Sequence, residues 1–149
     1  MARFAIVVDS PRPARAVFAQ LTDWDAHSAA IPLTRLEHSG VPYVGQRFVA
    51  HTGVAAVGFD DPMEVRVLEP PAGDAPGDPG GRVEVVKLGR VIAGWVHWTV
   101  TATPTGCVVE WSQELTVPWL PRWADPLVGR VGRAAYRAGL PRLLRARRT

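Results

Sequence analysis

The stretch between Thr34 and Val117 carries strand patterns and turn signals but no helical periodicity, and it constrains the fold more than any other part of the chain. In Cys107–Val117 apolar side chains alternate with polar ones, which predicts a strand with one buried face and one solvated face. Pro104-Thr105-Gly106 connects this segment to the one before it and is typical of a hairpin turn. Because short connections of this kind join antiparallel strands, the stretch predicts an antiparallel sheet. Its expected strands are Thr34–Ser39, Arg47–Thr52, a segment through Met63, Val65 and Val67, Arg82–Leu88, Val91–Thr103 and Cys107–Val117.

One strand and two short helices are expected before this stretch. Phe4–Val8 is rich in β-branched residues and predicts the first strand. Ser10-Pro11 predicts the start of a helix, because serine can cap free amides and proline fits the first turn. Thr22–Asp25 predicts a second cap and a short second helix, which Pro32 stops.

The last expected element is a helix from Pro121 to about Gly139, which Pro141 should break or kink. One arc of its helical wheel is apolar and mostly small, and we expect this arc to face the sheet: Leu127, Val131, Ala134, Ala135 and Ala138. Residues 126–149 carry seven arginines and no acidic residue. This basic segment is typical of a solvated helix face, and it leaves open a contact with an acidic partner or an anionic lipid surface.

Composition excludes several classes of protein. A chain of 149 residues, 47% hydrophobic and 21% charged, is typical of one globular domain over residues 1–149 and excludes general disorder. The single cysteine excludes an intramolecular disulfide and a cysteine-rich zinc site, and no two histidines have metal-ligand spacing, so we expect neither metal nor cofactor. The longest stretch without a charged residue, Val91–Val109, contains His97 and Pro104 and is rejected as a membrane span. No signal peptide is recognised, which favours a cytoplasmic protein.

Several local motifs carry a family resemblance through their order along the chain. They are Ile6-Val7-Val8-Asp9-Ser10-Pro11 with Val17-Phe18 and Leu21-Thr22-Asp23, then Gly45-Gln46-Arg47-Phe48, Gly58-Phe59-Asp60-Asp61-Pro62-Met63, Gly89-Arg90-Val91-Ile92-Ala93-Gly94-Trp95, and Thr105-Gly106-Cys107-Val108-Val109-Glu110-Trp111. With the order of the expected elements, they resemble the START-like or helix-grip superfamily (SRPBCC). This superfamily includes the polyketide cyclase/dehydrase and lipid-transport families. The resemblance is more specific for fold than for function.

The resemblance implies an α+β helix-grip fold with an apolar cavity. In that fold a curved seven-stranded antiparallel sheet wraps around one long C-terminal helix, and two short helices follow the first strand. Strand alternation and the small helix arc then predict the cavity wall, where a hydrophobic ligand would bind: Phe48, Met63, Val96, Trp98, Trp111, Gln113, Val131 and Ala135. The alternative is that the small helix residues allow close packing and leave no space.

Four histidines are candidates for acid–base chemistry in such a cavity. His51 and His97 lie on the same face of their strands as polar residues and are expected to point outward, while His38 lies at a strand end. His27, in the second short helix, is the candidate nearest to the expected cavity mouth. Gln113 has the parity of the buried face, so it either offers a neutral hydrogen-bonding group to the cavity or makes a structural hydrogen bond.

Two further positions are weaker candidates. Asp60 and Asp61 are expected in a loop, where a carboxylate serves as a base or, in the favoured interpretation, caps the next turn. Cys107 begins a strand without an assigned histidine partner, so a role as nucleophile is not expected. No catalytic constellation is recognised, and the sequence leaves open whether the protein is an enzyme.

Three functions of different classes follow from these observations. The first is binding or transport of a small hydrophobic or aromatic ligand in the cavity. The second is a polyketide cyclase, aromatase or dehydratase that uses the same cavity. The third is contact with a partner or a membrane surface through the arginine-rich C-terminus. No nucleic-acid partner is expected, and the identity of the ligand and the choice between monomer and homodimer stay open.

Overall fold

The computed structural model describes residues 2–30, 34–54, 57–118 and 120–145. Within these residues seven strands, three α-helices and one short 3₁₀ turn follow one another. They are β1 (Ala2–Ser10), α1 (Ala14–Leu21), α2 (Trp24–Ala30), β2 (Thr34–Glu37), β3 (Arg47–Val54), β4 (Val57–Glu69), β5 (Gly81–Leu88), β6 (Ala93–Thr103), β7 (Gly106–Thr116), the 3₁₀ turn Arg122–Ala124 and α3 (Asp125–Arg145).

The strands form one antiparallel sheet in the order β1-β7-β6-β5-β4-β3-β2. The first strand pairs with the last, so that Ile6 lies opposite Trp111. In the turn between β6 and β7, Gly106 has φ 150°, and a Cβ atom there would lie 2.0 Å from the carbonyl oxygen of Ser10. Only glycine lets this turn pack against the end of β1. The expected α+β helix-grip fold, with a seven-stranded antiparallel sheet and a long C-terminal helix, is confirmed.

Helix α3 packs closely on the sheet at Gly132. A Cβ atom there would lie 2.9 Å from Phe4 Cε1 and 3.3 Å from Leu115 Cδ1, so a side chain would require a shift of its neighbours. One turn later the ring of Tyr136 packs on Phe4, with centroids 5.8 Å apart. Leu140, after the next turn, is buried in the core. Glycine, tyrosine and leucine therefore form the inner face of α3.

The predicted orientation of α3 is wrong. The apolar arc expected to face the sheet lies on the outside of the helix: Leu127, Val131, Ala134, Ala135 and Ala138 are all exposed. Two arcs of this helix are apolar, and the one rich in alanine is the one that was expected to face the sheet. Burying tyrosine and leucine side chains removes more apolar area from water than burying alanines does, so the other arc faces inward.

The start of the first helix also differs from the prediction. Strand β1 extends to Ser10, and α1 begins only at Ala14. The Ser10 hydroxyl accepts a hydrogen bond from the Arg12 amide at 3.2 Å, so it holds the turn before the helix and does not cap it. The second cap is at Asp23, whose Oδ1 accepts hydrogen bonds from backbone amides in the first turn of α2. Pro32, expected to stop α2, lies outside the described residues.

Two further boundaries depart from the predictions. Helix α3 continues through Pro141 to Arg145, although proline removes one backbone hydrogen bond. Buried leucines on either side of it, Leu140 and Leu144, hold both parts of the helix against the core. Asp60 and Asp61 lie in β4, where strand alternation sends them to opposite faces of the sheet.

Candidate ligand-binding cavity

A cavity of about 90 Å³ lies between the inner face of the sheet, α2 and α3. Strands β2 to β7 supply most of its wall, while α2 supplies Trp24 and His27 and α3 supplies Tyr136. The full lining is Trp24, His27, Thr34, Leu36, Phe48, Ala50, Thr52, Asp61, Met63, Val85, Lys87, Val96, Trp98, Trp111 and Tyr136. The wall is thus largely aromatic and aliphatic, with a few polar groups.

Five aromatic rings of the wall pack on one another, and we call them the aromatic box: Trp24, Phe48, Trp98, Trp111 and Tyr136. Trp98 and Trp111 stack with centroids 4.7 Å apart and an interplanar angle of 8°. Trp24 stacks on Phe48 at 4.6 Å and meets Trp98 edge-on at 6.5 Å, while Tyr136 lies 5.3 Å from Trp111. Stacked and edge-on pairs are the favoured aromatic arrangements, so the rings of the box hold one another in place and present flat apolar faces to the cavity.

Buried glutamines fix two of the three indoles. Trp24 Nε1 donates to Gln46 Oε1 at 3.1 Å, and Trp111 Nε1 donates to Gln113 Oε1 at 3.4 Å. Among the described residues, Trp98 Nε1 is buried and donates to no acceptor. Trp98 therefore gives the aromatic box a buried hydrogen-bond donor that no described residue uses.

His27 is buried against the indoles of the box. Its ring centroid lies 6.3 Å from that of Trp98 and 6.2 Å from that of Trp111. Its Nε2–H donates to the Leu21 carbonyl oxygen at 2.6 Å, so in the neutral ring the lone pair lies on Nδ1. Burial lowers the pKa of His27 below 6.5, although the Leu21 carbonyl and the charge of Asp23 oppose this. The imidazole is thus neutral near neutral pH.

A buried ion pair lies on the same wall. Lys87 Nζ donates to Asp61 Oδ2, and it also contacts Met63 Sδ at 3.7 Å. The two charged side chains are only 4% and 7% exposed. Burial raises the pKa of Asp61, and the positive charge of Lys87 and its hydrogen bond act against this increase. Asp61 Oδ1 accepts no hydrogen bond within the part of the chain that the structure describes.

Three other histidines have the environment of surface residues. His51 bonds to the carboxylates of Asp60 and Glu37, and both raise its pKa. His38 bonds to Asp25, which likewise raises its pKa. His97 stacks on Trp95 on the outer side of β6, with centroids 4.2 Å apart. None of the three lines the cavity.

Neither a reactive thiol nor a metal cluster is found in the described ranges. Cys107 is buried, and burial raises the pKa of its thiol, which disfavours the reactive thiolate. Within residues 2–30, 34–54, 57–118 and 120–145, His, Cys, Asp and Glu side chains form no group of three that could hold a metal ion. No helix in these ranges is both long enough and apolar enough to cross a membrane.

The sequence profile of one protein family, described as "Polyketide cyclase / dehydrase and lipid transport", matches residues 1–146. The chain belongs to this family. Among proteins of curated function, none matches the chain. The match over nearly the whole chain supports a general role in hydrophobic-ligand binding or polyketide-cyclase-type chemistry, without selecting between them.

Solved structures of the same fold share little sequence with this family member. Protein TTHA0849 from Thermus thermophilus has a TM-score of 0.70 at 14% identity, over 96% of this chain and 93% of that one. The Zhui aromatase/cyclase from a Streptomyces species has a TM-score of 0.64 at 12% identity, over 95% and 90%. Ara h 8.0201 has a TM-score of 0.62 at 14% identity, over 97% and 98%. At these identities the likeness establishes the fold alone.

Most of the strand residues predicted for the wall line the cavity of this family member: Phe48, Met63, Val96, Trp98 and Trp111. Gln113 is fully buried but lies behind the wall, where it makes the structural hydrogen bond to Trp111. Val131 and Ala135 are wrong as wall residues, because both lie on the outer side of α3. That the wall residues bind a ligand stays a prediction.

The sequence analysis missed the ion pair and part of the aromatic box. On β5, Lys87 alternates in step with Val83 and Val85, so its side chain points to the same inner face of the sheet. It is also the single lysine in a chain rich in arginine. Asp61, which was expected in a loop, lies two residues before Met63 in β4 and points to the same inner face. The alternation along each strand therefore indicated the inward position of both charged residues. Tyr136 was missed because the wrong arc of α3 was chosen.

Proposed function

We propose that this family member binds a small hydrophobic or aromatic molecule in the cavity, as a non-catalytic binder or carrier. The aromatic box is the observation that carries this proposal, since it surrounds an internal space with flat apolar faces and few polar groups. Such a protein would act in the cytoplasm.

The size of the cavity limits the ligand. Its volume of about 90 Å³ is below the roughly 150 Å³ of an engineered apolar cavity that takes up benzene. It is also well below the roughly 300–1,000 Å³ of ordinary ligand pockets. A single-ring molecule therefore already requires some movement of α2 or α3, and it is the largest ligand we expect.

Titration with toluene tests the proposal. We expect saturable binding by calorimetry, with shifts of the indole N–H signals of Trp24, Trp98 and Trp111 in NMR spectra. Trp95 and Trp123, which do not line the cavity, should keep their signals and serve as internal controls. Absence of heat and of selective shifts at millimolar toluene would exclude the cavity as a binding site.

A polyketide cyclase, aromatase or dehydratase is the second candidate, and the groups on the wall favour it. His27, Asp61, Lys87 and Tyr136 all line the cavity, and neutral His27 has the protonation state of a general base. The fold is also that of the Zhui aromatase/cyclase. The small volume argues against it, because a multi-ring product does not fit. Turnover of a poly-β-ketone thioester, followed by mass spectrometry and lost in His27→Gln, would support an enzyme.

A membrane-surface role is favoured by an exposed apolar stripe on the outer face of α3 and the 3₁₀ turn before it. Trp123 is 80% exposed and Leu127 and Val131 are each 61% exposed. Three exposed arginines flank the stripe: Arg130, Arg133 and Arg137. This combination is typical of helices that lie on anionic lipid surfaces.

Co-sedimentation with phosphatidylserine vesicles tests this role. We expect binding that weakens with salt and is lost when the three arginines are replaced by glutamates. Phosphatidylcholine vesicles are the control. Association of two copies of the chain at the stripe, seen by analytical ultracentrifugation without vesicles, would point to a dimer interface instead.

A further inference from the structure

We propose that the Asp61–Lys87 pair makes the cavity selective for a neutral single-ring molecule that carries a hydroxyl group, which donates a hydrogen bond to Asp61 Oδ1. The inference rests on the proposed ligand-binding function and adds the chemical class of the ligand.

The first observation is an unused acceptor on the cavity wall. Asp61 Oδ2 accepts from Lys87, whereas Oδ1 is buried and accepts no hydrogen bond from the described residues. A buried polar atom without a partner is costly, and the cost is greatest for a charged group. A ligand hydroxyl supplies the missing donor at a site where the protein supplies none.

The second observation is the charge balance of the pair. Asp61 and Lys87 compensate each other, so the wall has no net charge for a ligand ion to neutralise. An anionic ligand would face the carboxylate, and a cationic one would face the ammonium group. Either ion would also lose much of its hydration in a cavity lined mostly by apolar side chains. A neutral hydroxyl meets the hydrogen-bonding need without adding a charge.

The third observation is the unused donor of Trp98. Its Nε1–H is buried without an acceptor in the described part of the chain, and Trp98 lines the same cavity as Asp61. A hydroxyl or carbonyl oxygen on the ligand can accept from it. Asp61 Oδ1 and Trp98 Nε1–H are thus a buried acceptor and a buried donor on one wall, which together suit an oxygen-bearing ring better than a hydrocarbon.

Phenol, toluene and benzoate are suitable probes, since each has one ring. Phenol and toluene have nearly the same size and shape because a hydroxyl replaces a methyl group. We expect phenol to bind at least about tenfold more tightly than toluene, as a hydrogen bond to a charged group is among the stronger ones. Benzoate should bind more weakly than phenol. Calorimetry gives all three affinities, and the indole signal of Trp98 should shift further with phenol than with toluene.

The double variant Asp61→Val/Lys87→Met tests the role of the pair. Removing both charges leaves no unpaired buried charge, so this variant should fold more readily than either single substitution. We expect it to bind toluene at least as tightly as phenol. Asp60→Asn is the matched control, because Asp60 is the next residue of β4 and has an exposed carboxylate. This control should keep the preference for phenol.

The outcomes separate the two proposals. Equal binding of phenol and toluene to the unchanged protein overturns the hydroxyl selection and leaves ligand binding intact. Tighter binding of benzoate than of phenol also overturns it, since Lys87 would then act as an anion site. A phenol preference that survives in the double variant overturns the role of the pair and assigns the selectivity to other residues. Binding of none of the three probes overturns both proposals.

Discussion

Trp98 on β6 lies directly opposite Trp111 on β7, and the two indole rings stack at 4.7 Å with an interplanar angle of 8°. This pair forms the centre of the aromatic box, where α2 and α3 both reach the sheet. His27 of α2 lies within 6.3 Å of either ring, and Tyr136 of α3 lies 5.3 Å from Trp111. Stability and the shape of the cavity therefore depend on the same side chains.

Trp111→Ala should lower the free energy of unfolding by about 3–5 kcal/mol, because it removes a buried aromatic side chain and leaves a larger void. Urea denaturation followed by far-UV circular dichroism measures the change. Trp123→Ala is the control, since Trp123 is 80% exposed and its loss should change stability by less than about 0.5 kcal/mol. Similar losses in both variants would mean that the box is not the core of the fold.

Ala50→Leu should weaken toluene binding strongly, because Ala50 lies on the cavity wall and a larger side chain fills the space. The added bulk should cost about 1–3 kcal/mol of stability, which a domain of ordinary stability tolerates. Ala135→Leu makes the same change on the exposed side of α3 and should leave both affinity and stability nearly unchanged. Calorimetry on the two folded variants compares them, and equal affinities would contradict the location of the site.

Lys87→Met should lower the free energy of unfolding by about 3–5 kcal/mol, because it leaves the buried Asp61 carboxylate without its partner. The double variant Asp61→Val/Lys87→Met should recover most of this loss. Thermal and urea unfolding of the two variants give the comparison. Equal destabilisation by the single and the double variant would show that charge compensation is not what the pair provides.

His27→Gln should change how stability depends on pH. Burial lowers the pKa of folded His27, whereas in the unfolded chain it titrates near 6.5. Between these two pKa values the unfolded state binds more protons than the folded state. The free energy of unfolding therefore increases as the pH rises and decreases as the pH falls. The stability advantage of the unchanged protein over His27→Gln should thus shrink as the pH falls below 6.5.

His51→Gln is the control for this experiment, with the opposite sign. The carboxylates of Asp60 and Glu37 raise the pKa of His51, so its contribution is present below 6.5 and is lost as the pH rises through the raised value. Urea unfolding over the same pH range measures both differences. A difference for His27→Gln that does not vary with pH would contradict a buried neutral imidazole. Two groups act on the titration of His27 directly: the Leu21 carbonyl and the charge of Asp23 both raise its pKa. Three other titratable groups line the same cavity, namely Asp61, Lys87 and Tyr136.

Strand alternation was enough to predict several of the sheet residues that line the cavity. The period of two fixes the side of every residue once one is assigned, so Phe48, Trp98 and Trp111 followed from their neighbours. The family resemblance then supplied the helix that lies across them. This part of the site depends on local pattern and could be predicted without knowing the register between strands.

The ion pair could not be predicted in the same way. Lys87 and Asp61 are 26 residues apart, and they meet because β4 and β5 pair with Met63 opposite Lys87. A charged residue at an inward-facing position conflicts with the alternation of apolar and polar residues. It is explained only by a partner of opposite charge on the neighbouring strand, and that partner is identified by the register between the strands. The prediction of the helix face failed for a different reason. Two arcs of α3 are apolar, and the arc with Tyr136 and Leu140 buries more apolar area than the alanine-rich one.

A substitution at Gly132 can change the volume of the cavity although Gly132 does not line it. A Cβ atom there would lie 2.9 Å from Phe4 Cε1 and 3.3 Å from Leu115 Cδ1, so a methyl group requires these side chains or α3 itself to move. A movement of α3 would carry Tyr136 away from Trp111 and enlarge the cavity between them. The volume of the cavity is thus open to change at a position that does not line it.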